Sequence, residues 1–153
     1  MPHAAPQART HESPAHEAAP PDLAEAFARA RHNGCVGTRL LSETERVRVW
    51  TIELKPGERI DLHTHVLDYF WTAVTPGRAR SRYADGRVAE VAYAAGDISH
   101  QTYGPGQHMT HDLENIGDTT LIFTTVEFLG GANPPLPLPE AVRAEAAPAP
   151  SRS

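Results

Sequence analysis

The sequence has one cysteine, an excess of acidic over basic residues and no long apolar run. The single cysteine, Cys35, excludes an intrachain disulfide and is typical of a reducing compartment. The formal net charge of −5 disfavours nucleic acid as a partner. No stretch approaches the roughly 20 apolar residues of a membrane span, and residues 1–20 hold no apolar segment typical of a signal peptide. These absences predict a cytoplasmic protein with neither nucleic-acid nor membrane partners.

Glycine is missing from both ends of the chain. All 11 glycines lie between Gly34 and Gly131, whereas most of the 14 prolines lie before residue 22 or after residue 133. A Pro/Ala-rich end without apolar periodicity cannot offset its ordering entropy. We therefore predict four segments: a disordered N-terminal segment (1–20), a short helix (21–33) that Gly34 caps, a single domain (34–131) and a Pro/Ala-rich, disordered tail (132–153) with a brief helical turn near residues 140–145.

The central segment has the pattern of an antiparallel β protein. Apolar runs are separated by turn signals such as Pro56-Gly57, Pro76-Gly77 and Asp85-Gly86, and no helical period is present. Strands are predicted within residues 46–54, 68–74, 78–94 and 111–129. The sequence therefore predicts an all-β sandwich or barrel.

A pair of histidines is the most informative local pattern. His63 and His65 are two residues apart, so on a strand both side chains point to the same side. Two imidazoles placed in this way can bind one ion, and His111 begins a later strand that can supply a third ligand. Imidazole nitrogen suits iron, zinc, copper, nickel or manganese better than calcium or magnesium. A surface pair without function remains the alternative for an isolated His-x-His.

Two longer segments resemble the two motifs of the cupin superfamily. In residues 56–77, PGERIDLHTHVLDYFWTAVTPG, a glycine is followed after five residues by His63 and His65, and Gly77 closes the segment. Residues 96–115, GDISHQTYGPGQHMTHDLEN, are similar to the second motif, with His111 near the end. The resemblance implies a double-stranded β-helix (jelly-roll) barrel and a homodimer. It also implies one divalent metal ion held by His63, His65 and His111, with Fe²⁺ favoured and Zn²⁺, Mn²⁺ or Ni²⁺ as alternatives.

The first motif departs from the family pattern at one position. Phe70 stands where cupins carry a glutamate ligand, and Asp68 lies two residues earlier. The segment from His63 to Tyr69 resembles that of small bacterial cupins associated with β-alanine degradation. Asp68 is a candidate catalytic residue whose alternatives are a fourth ligand, a partner of a ligand histidine, a proton-transfer group or a turn cap.

Further candidates surround the predicted site. Glu127 interrupts an apolar strand and would act near the substrate if it points inward, although both faces of that strand are apolar. Phe70 is a candidate wall of the substrate pocket. The loop TYGPGQHM contributes Tyr103, Gln107 and His108 as candidate residues over the barrel mouth.

Three functions are compatible with this sequence. The favoured hypothesis is an enzyme, a non-haem iron oxygenase, whose small substrate chelates the metal. The first alternative is a non-oxidative isomerase, lyase or rearrangement enzyme, in which the metal polarises the substrate while Asp68 or Glu127 moves a proton. The second alternative is a cupin that binds a small ligand without turnover.

Overall fold

The fold is all-β, with two helices outside the sheets. The computed structural model describes residues 9–13 and 21–146. The strands are β1 (Arg9–Ser13), β2 (Arg39–Glu43), β3 (Val47–Leu54), β4 (Arg59–His65), β5 (Tyr69–Ala73), β6 (Gly77–Arg82), β7 (Val88–Tyr93), β8 (Ile98–Gln101), β9 (Met109–Asn115) and β10 (Leu121–Phe128). The helices are α1 (Pro21–Ala30) and α2 (Glu140–Ala144). Among the described residues, neither helix has the length and apolar content that crossing a bilayer requires.

Two five-stranded sheets face each other. Sheet I has the order β1-β7-β6-β9-β4, and sheet II has the order β2-β3-β10-β5-β8. The pairings within both sheets are antiparallel. The chain repeatedly changes sheets, since β3 and β5 belong to sheet II while β4 between them belongs to sheet I. This topology confirms the predicted all-β jelly-roll barrel.

The core lies between the sheets and is built by alternation along the strands. Trp50, Ile52 and Leu54 on β3 are buried, as are Leu121 and Phe123 on β10. The residues between them are less buried because successive side chains of a strand point to opposite faces. Burying each large apolar side chain contributes about 1.5–3 kcal/mol, so these strands hold the two sheets together.

Strands form in all the predicted segments, and four strands lie outside them. β3, β5, β7 and β10 lie within the predicted segments, whereas β6 begins one residue earlier, at Gly77, and β9 begins two residues earlier, at Met109. The strands outside the predicted segments are β1, β2, β8 and β4, which carries His63 and His65. Strands β2 and β8 are edge strands of sheet II, with the short sequences RLLSE and ISHQ. A short edge strand needs little apolar alternation because one of its sides faces no other strand, which explains why the sequence pattern missed both.

Helix α1 ends earlier than predicted, at Ala30 rather than at residue 33. Gly34 is not its cap. A β-carbon added at Gly34 would lie 2.9 Å from the β-carbon of Leu136, so glycine is required there by the close approach of the C-terminal segment. Asn33 instead anchors this connection, since its side chain donates a hydrogen bond to the Leu62 carbonyl (2.9 Å) and its own carbonyl accepts one from the Thr64 amide (2.8 Å).

Both ends of the chain depart from the predicted disorder where the structure describes them. Strand β1 pairs with the edge of β7 through backbone hydrogen bonds, which require no apolar pattern. After residue 133, Leu138 is buried against Val36, Leu40 and Trp50. The predicted helical turn near residues 140–145 is confirmed as α2. Residues 1–8, 14–20 and 147–153, which also fall within the predicted disordered segments, lie outside the described residues.

Candidate metal centre

Three histidines meet inside the barrel, on two neighbouring strands of sheet I. His63 and His111 are directly opposite each other in the pairing of β4 with β9, and His65 lies two residues further along β4. The Nε2 atom of His65 is 3.2 Å from the Nε2 atoms of both His63 and His111. One ligand atom from each residue lies within 4.8 Å of the others. The structure therefore brings together the three residues predicted as metal ligands.

A β-bulge in β4 makes this convergence possible. Ile60 is opposite Leu113 and His63 is opposite His111, so three residues on β4 span the same distance as two on β9. In a regular strand Ile60 and His63 would point to opposite faces. The extra residue reverses the alternation, so that Ile60 is buried in the core and His63 and His65 also point inward.

The residue between the two histidines ties the site to helix α1. The Thr64 hydroxyl lies 2.7 Å from the Ala30 carbonyl, to which it donates a hydrogen bond, and 2.7 Å from the Thr110 hydroxyl on β9. Its amide donates to the Asn33 carbonyl. Thr64 is only 1% exposed. The end of α1 therefore covers the back of β4 and fixes the strand that carries both histidines.

Burial keeps the three imidazoles neutral. Burial lowers the pKa of His63 to about 4, against the opposing effect of the Asp61 carbonyl and of nearby carboxylates. Burial and the neighbouring histidines lower the pKa of His65 well below its usual value. Burial, His63 and Arg87 do the same for His111. At pH 7 each ring therefore has a nitrogen lone pair available for a metal ion.

A shared proton cannot satisfy this cluster, whereas one metal ion can. His63 Nδ1 donates to the Asp61 carbonyl (2.8 Å), which leaves Nε2 of the neutral ring without a hydrogen. A hydrogen on His65 Nε2 can point at one neighbour at a time, and without that hydrogen its lone pair faces the lone pair of His63. Two nitrogens about 2.1 Å from one ion and about 90–110° apart are separated by roughly 3.0–3.4 Å. The observed 3.2 Å separations fit a divalent metal site.

The histidines open on a cavity of about 890 Å³ between the two sheets. Tyrosines, Arg87 and the histidines line the part of the cavity near His111. The remainder is lined mostly by apolar side chains, together with the polar residues Ser81, Thr125, Ser99, His100 and Gln101. The side chains that complete the wall include Ile52, Tyr69, Trp71, Tyr83, Val91, Tyr93, Leu113 and Phe123. The volume is within the range of small-molecule sites.

The comparisons with known proteins agree with this architecture. No family model matches the chain, and no curated protein matches it. Among solved structures, the chain is similar to a cupin domain protein from Bordetella pertussis Tohama I. The identity is 23% over 60% of this chain and 98% of that chain, with a TM-score of 0.50. The chain has the cupin fold.

Two further solved structures have the same kind of domain. An uncharacterized conserved protein with a double-stranded β-helix domain from Klebsiella pneumoniae is 28% identical, over 61% of this chain and 72% of that chain, with a TM-score of 0.48. An RmlC-like cupin family protein from Methanocaldococcus jannaschii is 21% identical, over 59% of this chain and 76% of that chain, with a TM-score of 0.48. The fold implied by the resemblance of the two motifs is confirmed.

Tyr69, which sequence reasoning assigned to no site, borders the candidate metal centre and connects it to Tyr103, one of the predicted loop residues. The Tyr69 ring stacks on His65, with centroids 4.1 Å apart and planes inclined by 16°. The Tyr69 and Tyr103 hydroxyls are hydrogen-bonded to each other, and burial raises the pKa of Tyr69 well above its usual value. Burial also raises the pKa of Tyr103, to about 12. Both hydroxyls are therefore protonated at pH 7.

Tyr83 and Arg87 form a second wall that sequence reasoning missed. Tyr83 forms an isolated antiparallel β-bridge with His111, and the centroids of their rings are 5.3 Å apart. The Arg87 guanidinium carbon lies 4.1 Å from the centre of the Tyr83 ring. The predicted Asp85-Gly86 turn was the available signal. It brings the two residues opposite each other, and the Tyr83 amide donates to the Arg87 carbonyl (2.9 Å).

Phe70 does not form a wall of the pocket as expected. Its side chain lies on the outer face of sheet II, with its ring centre 5.3 Å from that of His100 and 6.0 Å from that of Phe128. Tyr69 and Trp71, on either side of it, line the cavity instead. The apolar sequence on both faces of β5 concealed this alternation, so the position aligned with the family's glutamate was misjudged as inward.

Asp68 lies outside the histidine cluster, which contains no carboxylate among the described residues. Its Oδ1 atom accepts a hydrogen bond from the Tyr103 amide at 2.8 Å. Its backbone carbonyl accepts one from the Phe128 amide, also at 2.8 Å. Asp68 thus fixes the loop that carries Tyr103, and through Tyr103 it supports the hydroxyl of Tyr69.

The other loop candidates are turned away from the histidines. Gln107 is exposed and accepts a hydrogen bond from the Gly104 amide (2.7 Å). His108 is also exposed, with Nδ1 3.4 Å from the Gly106 carbonyl. Neither residue lines the cavity. Of the three predicted loop residues, Tyr103 alone is connected to the metal centre, through its hydrogen bond with Tyr69.

Glu127 points into the barrel but does not line the cavity. Its Oε1 atom accepts a hydrogen bond from the Trp50 indole at 2.7 Å. Burial raises its pKa to about 7, although that hydrogen bond and the charge of Arg48 favour the ionised form. Glu127 therefore belongs to a polar cluster at the barrel end near Trp50, separate from the histidine centre.

Proposed function

We propose that this protein is a mononuclear metal-dependent enzyme, a non-haem iron oxygenase, that acts on a small metabolite able to chelate the metal. The observation that carries the proposal is the opening of three neutral, convergent histidines on a cavity of about 890 Å³. Three ligands on one side of an ion leave positions for substrate, which is typical of a catalytic rather than a structural metal site.

His63, His65 and His111 would hold the ion. Bound iron(II) would supply the oxygen-activating chemistry, and the protein would supply the donors, the substrate orientation and the exclusion of water. The Asp61 carbonyl fixes the His63 tautomer, and Tyr69 fixes the plane of the His65 ring by stacking. Arg87 places a positive charge on the cavity wall near His111, which favours an anionic substrate group.

A non-oxidative reaction is the second candidate, supported by the Tyr69–Tyr103 pair. The sequence pointed to Asp68 or Glu127 as the group that moves a proton, yet neither lines the cavity. The Tyr69 hydroxyl is protonated, buried and beside His65, so it is the better-placed proton donor for an isomerase or lyase. A cupin that only binds its ligand is the remaining alternative.

Oxygen consumption distinguishes these functions. Protein loaded anaerobically with Fe²⁺ is first treated with nitric oxide, and an iron–nitrosyl spectroscopic signal is expected because the site is open. In separate samples without nitric oxide, oxygen uptake by the Fe²⁺-loaded protein is measured with a panel of small 2-oxo and 2-hydroxy acids. Protein loaded with redox-inactive Zn²⁺ is the control. Uptake with iron alone supports the oxygenase. Substrate conversion by both metals without uptake would contradict it and support the non-oxidative reaction.

A further inference from the structure

The cavity has a polar end and an apolar end, which restricts the substrate further. His63, His65 and His111 form the polar end together with Tyr69 and Tyr83. The walls beyond them are mostly apolar, and their polar groups include the hydroxyls of Ser81, Ser99 and Thr125 and the Tyr93 phenol. Arg87, His100 and Gln101 also line the cavity, Gln101 opposite Tyr69 on β8. The mostly apolar walls are formed by Ile52, Trp71, Ser81, Ala89, Val91, Tyr93, Ser99, Leu113, Phe123 and Thr125.

Strand register shows that the two ends are successive levels of the barrel. Leu113 lies two residues beyond His111 on β9, and Trp71 lies two residues beyond Tyr69 on β5. Two residues of a strand span about 6.8 Å. Trp71 is opposite Thr125 on β10, one level before the buried pair of Ala73 and Phe123. Along their own strands, Leu113 therefore lies roughly 7 Å beyond His111, and Trp71 lies roughly 7 Å beyond Tyr69.

Three aromatic rings stiffen the apolar end. The ring centre of Trp71 lies 5.3 Å from that of Tyr93 and 5.6 Å from that of Phe123, and the rings of Tyr93 and Phe123 are 4.8 Å apart. All three contacts are edge-to-face, with interplanar angles of 83–89°. Such mutually packed rings form a defined apolar surface rather than a flexible one.

We infer that the cavity takes an amphipathic acid, with a chelating anionic head at the histidines and an apolar aryl or branched-alkyl body against Trp71, Tyr93 and Phe123. This inference rests on the proposed function, because the metal ion positions the head. A two-carbon acid would leave the aromatic wall in contact with water. A ligand with an apolar body removes that surface from water and gains affinity in proportion to the area buried.

Two acids with the same head test the inference. Pyruvate and phenylpyruvate share the 2-oxo acid group, and phenylpyruvate adds a phenyl ring. Isothermal titration of the Zn²⁺-loaded protein under nitrogen should show phenylpyruvate binding about 10–100-fold more tightly. Equal affinities for the two acids on fully metal-loaded protein would overturn the inference and leave the proposed metal enzyme intact. A protein that takes up no metal would overturn both.

A substitution at the apolar end locates the binding of the ring. Val91→Phe adds bulk to the inward face of β7 beyond the histidines. It should bring the affinity for phenylpyruvate down to that for pyruvate, with metal content and pyruvate binding unchanged. Val126→Phe adds the same bulk to the outer face of sheet II and is the matched control, expected to bind both acids as the wild type does. A Val91→Phe protein that keeps the full preference for phenylpyruvate would contradict the placement.

Discussion

Ile60 and His63 both point into the barrel although they are three positions apart on β4, and the bulge between them is the cause. A strand without the bulge could bury Ile60 or present His63 and His65 to the cavity, but not both. With three positions from Ile60 to His63, the candidate metal centre of this cupin fold therefore depends on the bulge as well as on the histidines themselves.

Deletion of Asp61 tests this role of the bulge. Without Asp61, Ile60 and His63 are two positions apart, as Leu113 and His111 are on β9, so a regular pairing would keep both side chains inward. We expect the Zn²⁺ affinity of the deletion variant to lie within about 10-fold of that of Asp61→Ala, the matched control that keeps the extra backbone residue and the carbonyl that accepts from His63. Equilibrium dialysis with Zn²⁺ measures the affinity, and urea unfolding shows that both variants fold. A folded deletion variant whose affinity falls by more than about 100-fold would contradict this role of the bulge.

Thr64→Val tests the attachment of β4 to helix α1. The Thr64 hydroxyl is buried, and its loss leaves the Ala30 carbonyl without that donor. We expect the free energy of unfolding of the metal-free protein to fall by about 1–3 kcal/mol. Thr124→Val, on the outer face of β10, is the control and should change it by less than about 0.5 kcal/mol. Equal unfolding midpoints and slopes for both variants in urea would show that the attachment contributes little.

Asp68 is expected to act as an anchor of the Tyr103 loop. Asp68→Asn keeps an oxygen that can accept from the Tyr103 amide, so metal affinity and turnover should stay near wild type. Asp68→Leu removes the acceptor and should increase amide hydrogen exchange in residues 102–108. A loss of turnover by about 10²–10⁴-fold in Asp68→Asn would instead assign proton transfer to this carboxylate. A fall in metal affinity of about 10–100-fold would assign it to the support of a ligand.

Glu127 should make stability depend on pH. Its folded-state pKa of about 7 lies above the ordinary carboxyl value, so the folded protein retains a proton that the unfolded chain releases. Its contribution is therefore fully present below about pH 4.5 and is lost as pH rises through about 7. Glu127→Gln does not titrate at this position, so its stability should not fall in this way as pH rises. Its side-chain oxygen can still accept the hydrogen bond from the Trp50 indole. The variant should match the wild type at pH 4.5 and be more stable at pH 8, on the order of 1–3 kcal/mol.

Unfolding of both proteins across this pH range checks the prediction. The difference between them isolates Glu127 from the buried histidines, whose lowered pKa values act in the opposite direction. A constant difference from pH 4.5 to pH 8 would mean that Glu127 is ionised throughout the range in the folded protein.

The sequence predicted the all-β barrel and the three convergent histidines because these depend on local patterns. Turn residues bound the strands, and the spacing of His63 and His65 together with the cupin motifs indicated a site shared with His111. The inward or outward direction of Phe70 and Glu127 was not predictable, since both faces of β5 and β10 carry apolar residues. The bulge before His63 has no local signature either, because it is defined by pairing with β9, whose His111 lies 46 residues after His65.

Pairing across the barrel explains the remaining omissions. Tyr83 reaches the site only because β6 and β7 place it beside His111. Leu138 belongs to the core although it lies in a proline-rich segment, because the chain returns past Gly34 to cover Trp50. Such long-range contacts require the topology, which composition and periodicity do not supply.

Metal stoichiometry of the purified protein tests the central claim most directly. Elemental analysis of wild-type protein purified without added metal, and again after loading with Fe²⁺ under nitrogen, should give one divalent ion per chain. His111→Ala should lower the metal content several-fold, because one of the three convergent nitrogens is lost. His108→Ala removes an exposed histidine three residues away and should leave the content unchanged. A wild-type protein that binds no metal, or a His111→Ala protein that binds a full equivalent, would contradict the account.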